Sequence, residues 1–303
     1  MSQAAQRASN FSAIAAAQAG ILSRRQLAVA GATVDVVRSN VVAGRWAALS
    51  GRAIATHNGP LSEEQKAWFA VLDGGDRCVL AGLSALHGQG LRGFPVERIQ
   101  TVVPFGGRPA RHELYVRRVS RRLTADDRHP VRRPPMMRIG PAVVDALENT
   151  ALPLRGCALM AAVVQQRIMR ATDLRPLLTA AHTLPNRAIY LAVAGDIEGG
   201  AQSLTEIDFR PLARLAGLPK PSYQAVRVDR FGRRRYLDAD FGPFAVEIDG
   251  AVHLKPLTWW EDTWRLNEVT IGGKPTLRFP SVGIYLHRAR VVDQLRAAGA
   301  RWL

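Results

Sequence analysis

The chain has 303 residues, 47% of them apolar, which is enough for more than one hydrophobic core and too apolar for wholesale disorder. Lys plus Arg number 41 against 25 Asp plus Glu, and a formal charge of +16 points to a polyanionic partner, nucleic acid first. Cys78 and Cys157 stand too far apart for a zinc-type spacing or a disulfide framework. No run approaches the ~18 apolar residues of a membrane span, so the expectation is a cytoplasmic protein with no membrane partner.

Residues 1–57 carry helix punctuation at regular intervals. Phe11 to Ala19 reads as a helix ended by Gly20. Ser23, with Gln26 three residues later, has the pattern of a capping box, in which two side chains satisfy orphan backbone donors reciprocally. Thr33 can cap a third helix bearing Val34, Val37, Val41 and Val42, with Gly44 as its stop. Trp46 to Thr56 reads as two short strands around Ser50-Gly51. Helix, helix, turn, helix, hairpin is the order of a winged helix-turn-helix, and a small protein-binding helical bundle would share much of it. On the first reading the third helix presents Arg38 and Asn40 to base edges, while Arg24, Arg25, Arg45 and Arg52 hold phosphates.

Residues 58–151 are expected to form a basic α+β region. Glu63 to Leu72 and Val79 to Leu86 read as helices, and Ile99 to Val103 and Glu113 to Val119 as strands. Between Arg108 and Arg138 stand ten Arg against three acids, a local balance of +7. Arg117 and Arg118 on the second strand are candidate backbone contacts; a solvated basic loop is the alternative. Residues 152–200 read as a helical connector: Ala158 to Ile168, Leu174 to Thr183 and Arg187 to Val193, followed by a linker from Gly195 to Gln202.

Residues 201–303 carry the sharpest chemical pattern. Ser203 can cap a helix over Leu204 to Ala216 with Glu206 in its first turn and Gly217 at its end. Gln224 to Val228 reads as a strand and Asp229 to Gly232 as a turn. Arg234 to Asp240 and Phe244 to Asp249 then form a hairpin about Gly242-Pro243, whose leading Gly suits a type II′ turn. A two-residue loop pairs Phe241 with Phe244, and counting outward sets Asp238 opposite Glu247, with Cβ atoms about 4.5–5.5 Å apart. Glu247 and Asp249 share a face because strand side chains alternate, while Val246 and Ile248 point to a core. Glu206 can join them. Clustered carboxylates repel unless a cation intervenes, and oxygen-only ligands select Mg²⁺ or Mn²⁺. Such an ion polarises a phosphodiester, and His253, four residues beyond Asp249, can shuttle a proton. Solvated acids at a hairpin end are the simpler alternative. A helix over Thr258 to Val269, a strand over Thr276 to Phe279 and a helix over Val291 to Ala298 complete a mixed sheet flanked by helices. The expected class is thus α+β overall, with α/β character in this last segment.

The last hundred residues resemble the PD-(D/E)XK nuclease superfamily, most of all its actinobacterial branch near the very-short-patch repair endonucleases. The resemblance rests on Ser203-Leu204-Thr205-Glu206, Ala216-Gly217-Leu218-Pro219, Arg234-Arg235-Tyr236-Leu237-Asp238, Val246-Glu247-Ile248-Asp249-Gly250 with His253, Trp259-Trp260-Glu261-Asp262, Arg265-Leu266-Asn267-Glu268 and Leu277-Arg278-Phe279-Pro280. It implies a restriction-endonuclease-like fold with Glu206, Asp238 and Glu247 as metal-site acids and Asp249 and His253 beside them. Asp249 stands where the superfamily has Lys, and Lys255 is near but not at that position.

The first 150 residues are similar to the AbiEi-type antitoxins. The carriers are Gly20-Ile21-Leu22-Ser23-Arg24-Arg25-Gln26-Leu27, Val79-Leu80-Ala81-Gly82-Leu83-Ser84-Ala85-Leu86-His87-Gly88 and Thr101-Val102-Val103-Pro104. That similarity implies a winged-helix repressor of its own operator, with a toxin, or a repair or defence protein, as a partner. The two resemblances imply two rival functions: a Mg²⁺-dependent DNA endonuclease, and a non-catalytic regulator.

Overall fold

The computed structural model describes residues 12–199, 210–228, 234–249, 275–280, 283–284 and 287–303. The chain divides into two compact units between Asp145 and Ala146.

In the first unit, helix α1 (12–17) ends in a turn and leads into strand β1 (Ile21–Ser23), which runs directly into helix α2 (Arg24–Val29). The capping box is formed as expected: the Gln26 N–H donates to Ser23 Oγ at 3.1 Å, and the Ser23 N–H donates to Gln26 Oε1 at 2.8 Å. Thr33 caps helix α3 (Val34–Val42) by accepting from the Val36 N–H. Strands β2 (Ala47–Ala48) and β3 (Ala53–Ala55) follow, and the three strands form a sheet in the order β1-β3-β2. Period-two alternation splits β1 between two cores. Leu22 packs with Leu27, Val37 and Ile54 on the side of α2 and α3. Ile21, Ala53 and Ala55 pack the other way, against Trp68, Phe69 and Ala70 of helix α4 (Glu63–Gly74).

Helix α4 opens on a second capping box, Ser62 with Gln65, and then buries Trp68, Phe69, Ala70 and Val71 in succession. A helix buried over so much of its circumference needs partners on more than one side. It packs on β1 and β3 and also on a second sheet, made by β4 (Val79–Leu80), β5 (Ile99–Pro104), β6 (Ala110–Arg111) and β7 (Tyr115–Ser120) in the order β4-β5-β7-β6. Strands β5 and β7 are parallel and the outer pairs antiparallel. Phe69 meets the Tyr115 ring edge-on at 5.6 Å. The segments expected as 1–57 and 58–151 thus share one core. The helix expected over Val79 to Leu86 is instead β4 followed by α5 (Gly82–His87). The first residues pair with Thr101 and Val102, and a positive φ at Gly82 turns the chain.

The second unit holds α7 (Pro153–Gln165), α8 (Ala171–Ala180) and α9 (Arg187–Gly199), after α6 (Ile139–Glu148), which spans the division between units. Helix α9 continues into the stretch expected as a linker as far as Gly199, and 200–202 lie outside the described residues. A Cβ on Gly195 would stand 2.5 Å from an Arg175 guanidinium nitrogen, so Gly195 marks a close approach to α8 and not a loop. Helix α10 (Arg210–Leu215), strands β8 (Ser222–Val228), β9 (Arg234–Asp240), β10 (Ala245–Asp249) and β11 (Thr276–Pro280), and helix α11 (Arg288–Trp302) complete the described residues. The sheet is mixed, in the order β11-β10-β9-β8: β8, β9 and β10 are antiparallel, and β11 is parallel to β10. Val246 and Ile248 are buried, as their alternation requires. Phe244 stacks on Phe241 at 4.8 Å and meets Trp302 of α11 at 5.5 Å, which anchors helix to sheet.

Candidate functional site

The outer stripe of α3 carries Val34, Arg38 and Val42 at four-residue spacing, all exposed. Asn40 is turned back on its own helix. Its amide nitrogen donates to the Val36 carbonyl at 2.9 Å, and its carbonyl accepts from Arg45 Nε at 2.8 Å. Asn40 and Arg45 therefore finish the helix together, and the expectation that Asn40 reads base edges gives way to a local packing role.

Two other expected DNA contacts are structural. Arg117 is 7% exposed and donates to Asp73 Oδ2 at 2.6 Å and to Tyr115 Oη at 3.1 Å. Asp73 also accepts from Ser50 Oγ at 2.5 Å and from Tyr115 Oη at 2.6 Å. Burial pushes the Asp73 carboxyl up, but the bonds from Ser50, Tyr115 and Arg117 prevail and hold it below the usual carboxylate range. Tyr115 is pushed up to about 12 by burial and by Asp73. Arg118 donates to Asp145 at 2.5 Å and is half-buried. Arg117 and Arg118, consecutive on β7, point to opposite faces, and each meets a carboxylate of the first unit. Cys78 and Cys157 are buried free thiols pushed up to about 11 and about 12 by burial, so neither is a ready nucleophile.

Arg24, Arg25 and Arg52 come together from α2 and the β2–β3 turn. They line a cleft of about 470 Å³ with Arg128 and Arg133 from the segment before α6. Trp68, Val71, Leu72 and Pro135 form apolar parts of its wall. Arg25 is ion-paired to Asp76, and Arg52 reaches the Asp73 carbonyl at 3.4 Å. Gln18, Arg128 and Arg133 escape a reading by spacing, because they come from opposite ends of the unit and only the fold brings them together.

In the second unit the expected hairpin register holds. Ala245 pairs with Asp240 and Val246 with Ala239, and the Phe241 N–H donates to the Phe244 carbonyl at 2.9 Å. Gly242 has φ +90°, the left-handed conformation that its place in the two-residue turn requires, and Asp240 caps the turn by accepting from the Gly242 N–H at 2.8 Å. Continued one step, the register sets Asp238 across from Glu247. Sequence reasoning missed the partner on the other side. Strand β11 places Arg278 beside Glu247, and Arg278 Nε donates to Glu247 Oε2 at 2.9 Å. Asp249 lies two residues beyond Glu247 on the same strand. Glu206 and His253 lie outside the described residues. Carboxylates are donors suited to a hard divalent cation, and the Glu247 side chain, on an interior strand of the sheet, is 25% exposed. No group of three metal-capable side chains occurs among the described residues.

No family model, curated protein or solved structure matches the chain. No helix among the described residues is long and apolar enough to cross a membrane.

Proposed function

We propose that the protein binds double-stranded DNA through its first unit and hydrolyses phosphodiester bonds at the carboxylate edge of its second. The observation that supports this reading is the hairpin register, Ala245 with Asp240 and Val246 with Ala239, which, carried one step further, would bring Asp238 opposite Glu247. The first unit would act as a winged helix-turn-helix: α3 enters the major groove, Arg38 reaches the DNA, and Val34 and Val42 offer apolar contacts to thymine methyl groups. Arg24 and Arg52 hold phosphates. Asp238 and Glu247, with Glu206, would hold Mg²⁺ or Mn²⁺, with Asp249 on the same strand. Bound there, such an ion supplies Lewis-acid polarisation of the scissile phosphodiester. His253 is the candidate to carry a proton to the leaving oxygen. The test is incubation of supercoiled plasmid and of a mismatched duplex with the wild-type chain and Asp238→Ala, in Mg²⁺, Mn²⁺ and EDTA. Metal-dependent cutting that disappears in the variant supports the reading; cutting that survives it removes the assignment.

One observation favours a second reading, a non-catalytic repressor of its own operator in the manner of an antitoxin. The Glu247 carboxylate already has a cation at 2.9 Å in Arg278, so that carboxylate is compensated without a metal. Tight duplex binding with no cutting in any metal would select that reading.

A further inference from the structure

The cleft beside α2 is lined by five arginines and one carboxylate, Asp76, so its formal charge is five minus one, or +4. Its volume of about 470 Å³ falls in the range of small-molecule sites, ~300–1,000 Å³. Three of the guanidinium groups are held in place. Arg25 bonds the Asp76 side chain, Arg128 reaches the Asp76 carbonyl at 3.4 Å, and Arg133 donates to the carbonyl of Arg132 at 3.0 Å. Each guanidinium has five N–H donors, and these bonds use only one or two of them. A concave wall of this kind can take a compact polyanion. Trp68, Val71, Leu72 and Pro135 supply apolar parts of the lining, Trp68 and Val71 with only 3% of their surface exposed. Gln18 lines the cleft, and its Oε1 is buried with no hydrogen-bond partner among the described residues.

We infer that this cleft binds a nucleoside di- or triphosphate, its phosphates on Arg24, Arg52, Arg128 and Arg133, its base against the apolar wall and its base edge on the Gln18 amide. Phosphate oxygens match guanidinium forks bidentately. A carboxamide can donate to and accept from a base edge as no aliphatic side chain can. The inference is independent of DNA cleavage.

Calorimetric titration of the full chain with ADP, ATP, pyrophosphate and adenosine, in EDTA and without DNA, tests it apart from the carboxylate edge. Saturable binding of ADP or ATP is expected, with pyrophosphate and adenosine each weaker. Arg128→Gln combined with Arg133→Gln should weaken ADP at least about tenfold. Gln18→Ala should weaken ADP and leave pyrophosphate unchanged. Hydrogen exchange on the wild-type chain supplies a readout that needs no variant: ADP should protect residues 18–26, 51–52 and 128–135. Absence of binding at millimolar ADP, pyrophosphate binding as tight as ADP, unchanged affinity in the double variant, or protection confined to other segments would each overturn the proposal.

Discussion

Asp73 and Arg117 form an ion pair at 2.6 Å inside the first unit, with side chains only 14% and 7% exposed. Asp73 ends a helix and Arg117 lies on a strand, and Ser50 in the β2–β3 turn donates to the same carboxylate. One carboxylate therefore ties the turn of the first sheet to α4 and to the second sheet. Replacing Asp73 by Asn leaves Arg117 as an uncompensated buried charge. The expected loss is about 3–5 kcal/mol, read as a lower urea midpoint at unchanged slope.

The same pair sets an acid limb of stability. The Asp73 carboxyl is held below its unfolded value, so its contribution is complete above the unfolded carboxylate range, ~3.9. It is lost as pH falls through the folded value. The stability difference between wild type and Asp73→Asn should stay constant from pH 7 to pH 5 and shrink below pH 4. A difference that holds constant down to pH 2 would show that Asp73 is not the titrating group.

DNA binding should depend on Arg38 and Arg24 in a salt-dependent way. Removing one phosphate-binding arginine should reduce the slope of log K against log salt by about 0.9. Asn40→Ala should leave that slope unchanged, since Asn40 is occupied with Val36 and Arg45. Fluorescence anisotropy across a salt series separates the two effects.

Arg278 distinguishes the two functional readings. It is 58% exposed, so the Glu247–Arg278 pair contributes little to stability, ~1 kcal/mol or less. In a metal-dependent nuclease, Arg278→Gln removes a competitor for Glu247, and half-maximal cutting should move to lower Mg²⁺. In a repressor, the same change leaves operator affinity and the absence of cutting as they were.

Ser23 should matter more than its size suggests, because it closes β1 and opens α2 with one side chain. Ser23→Ala removes half of the capping box and should lower stability by about 1 kcal/mol. Ser23→Asp, which keeps an acceptor, should restore most of it in the same thermal scan.

Local chemistry is legible in the sequence wherever one or two neighbouring residues decide the outcome. Ser23 with Gln26, Thr33 and Gly242 each fix a cap or a turn through their own side chain or backbone, and each stands where its pattern places it. The two-residue loop likewise gives the pairing of Val246 with Ala239 by counting. What escapes depends on distant partners. Arg117 is as basic as Arg38 in the sequence, and only Asp73, 44 positions earlier, makes it an interior residue. Arg278 comes to Glu247 from 31 positions away. Strand β1 has only three residues, too few for a period to emerge, and owes its pairing to β3. Gly195 carries the composition of a linker and the role of a packing surface.

Helix α4 serves two sheets at once, with Trp68, Phe69 and Ala70 in the same cluster as Ile21, Ala53, Ala55 and Tyr115. The three-helix and three-strand head is therefore not a portable module. Cut after His57, it would lose the roof over half of its own strands and present bare apolar surface to water. Fragments meant to retain the head, whether made at the bench or by gene fusion, need the chain through α6, which ends at Glu148. Any change of partner acquired by recombination would have to carry the second sheet along.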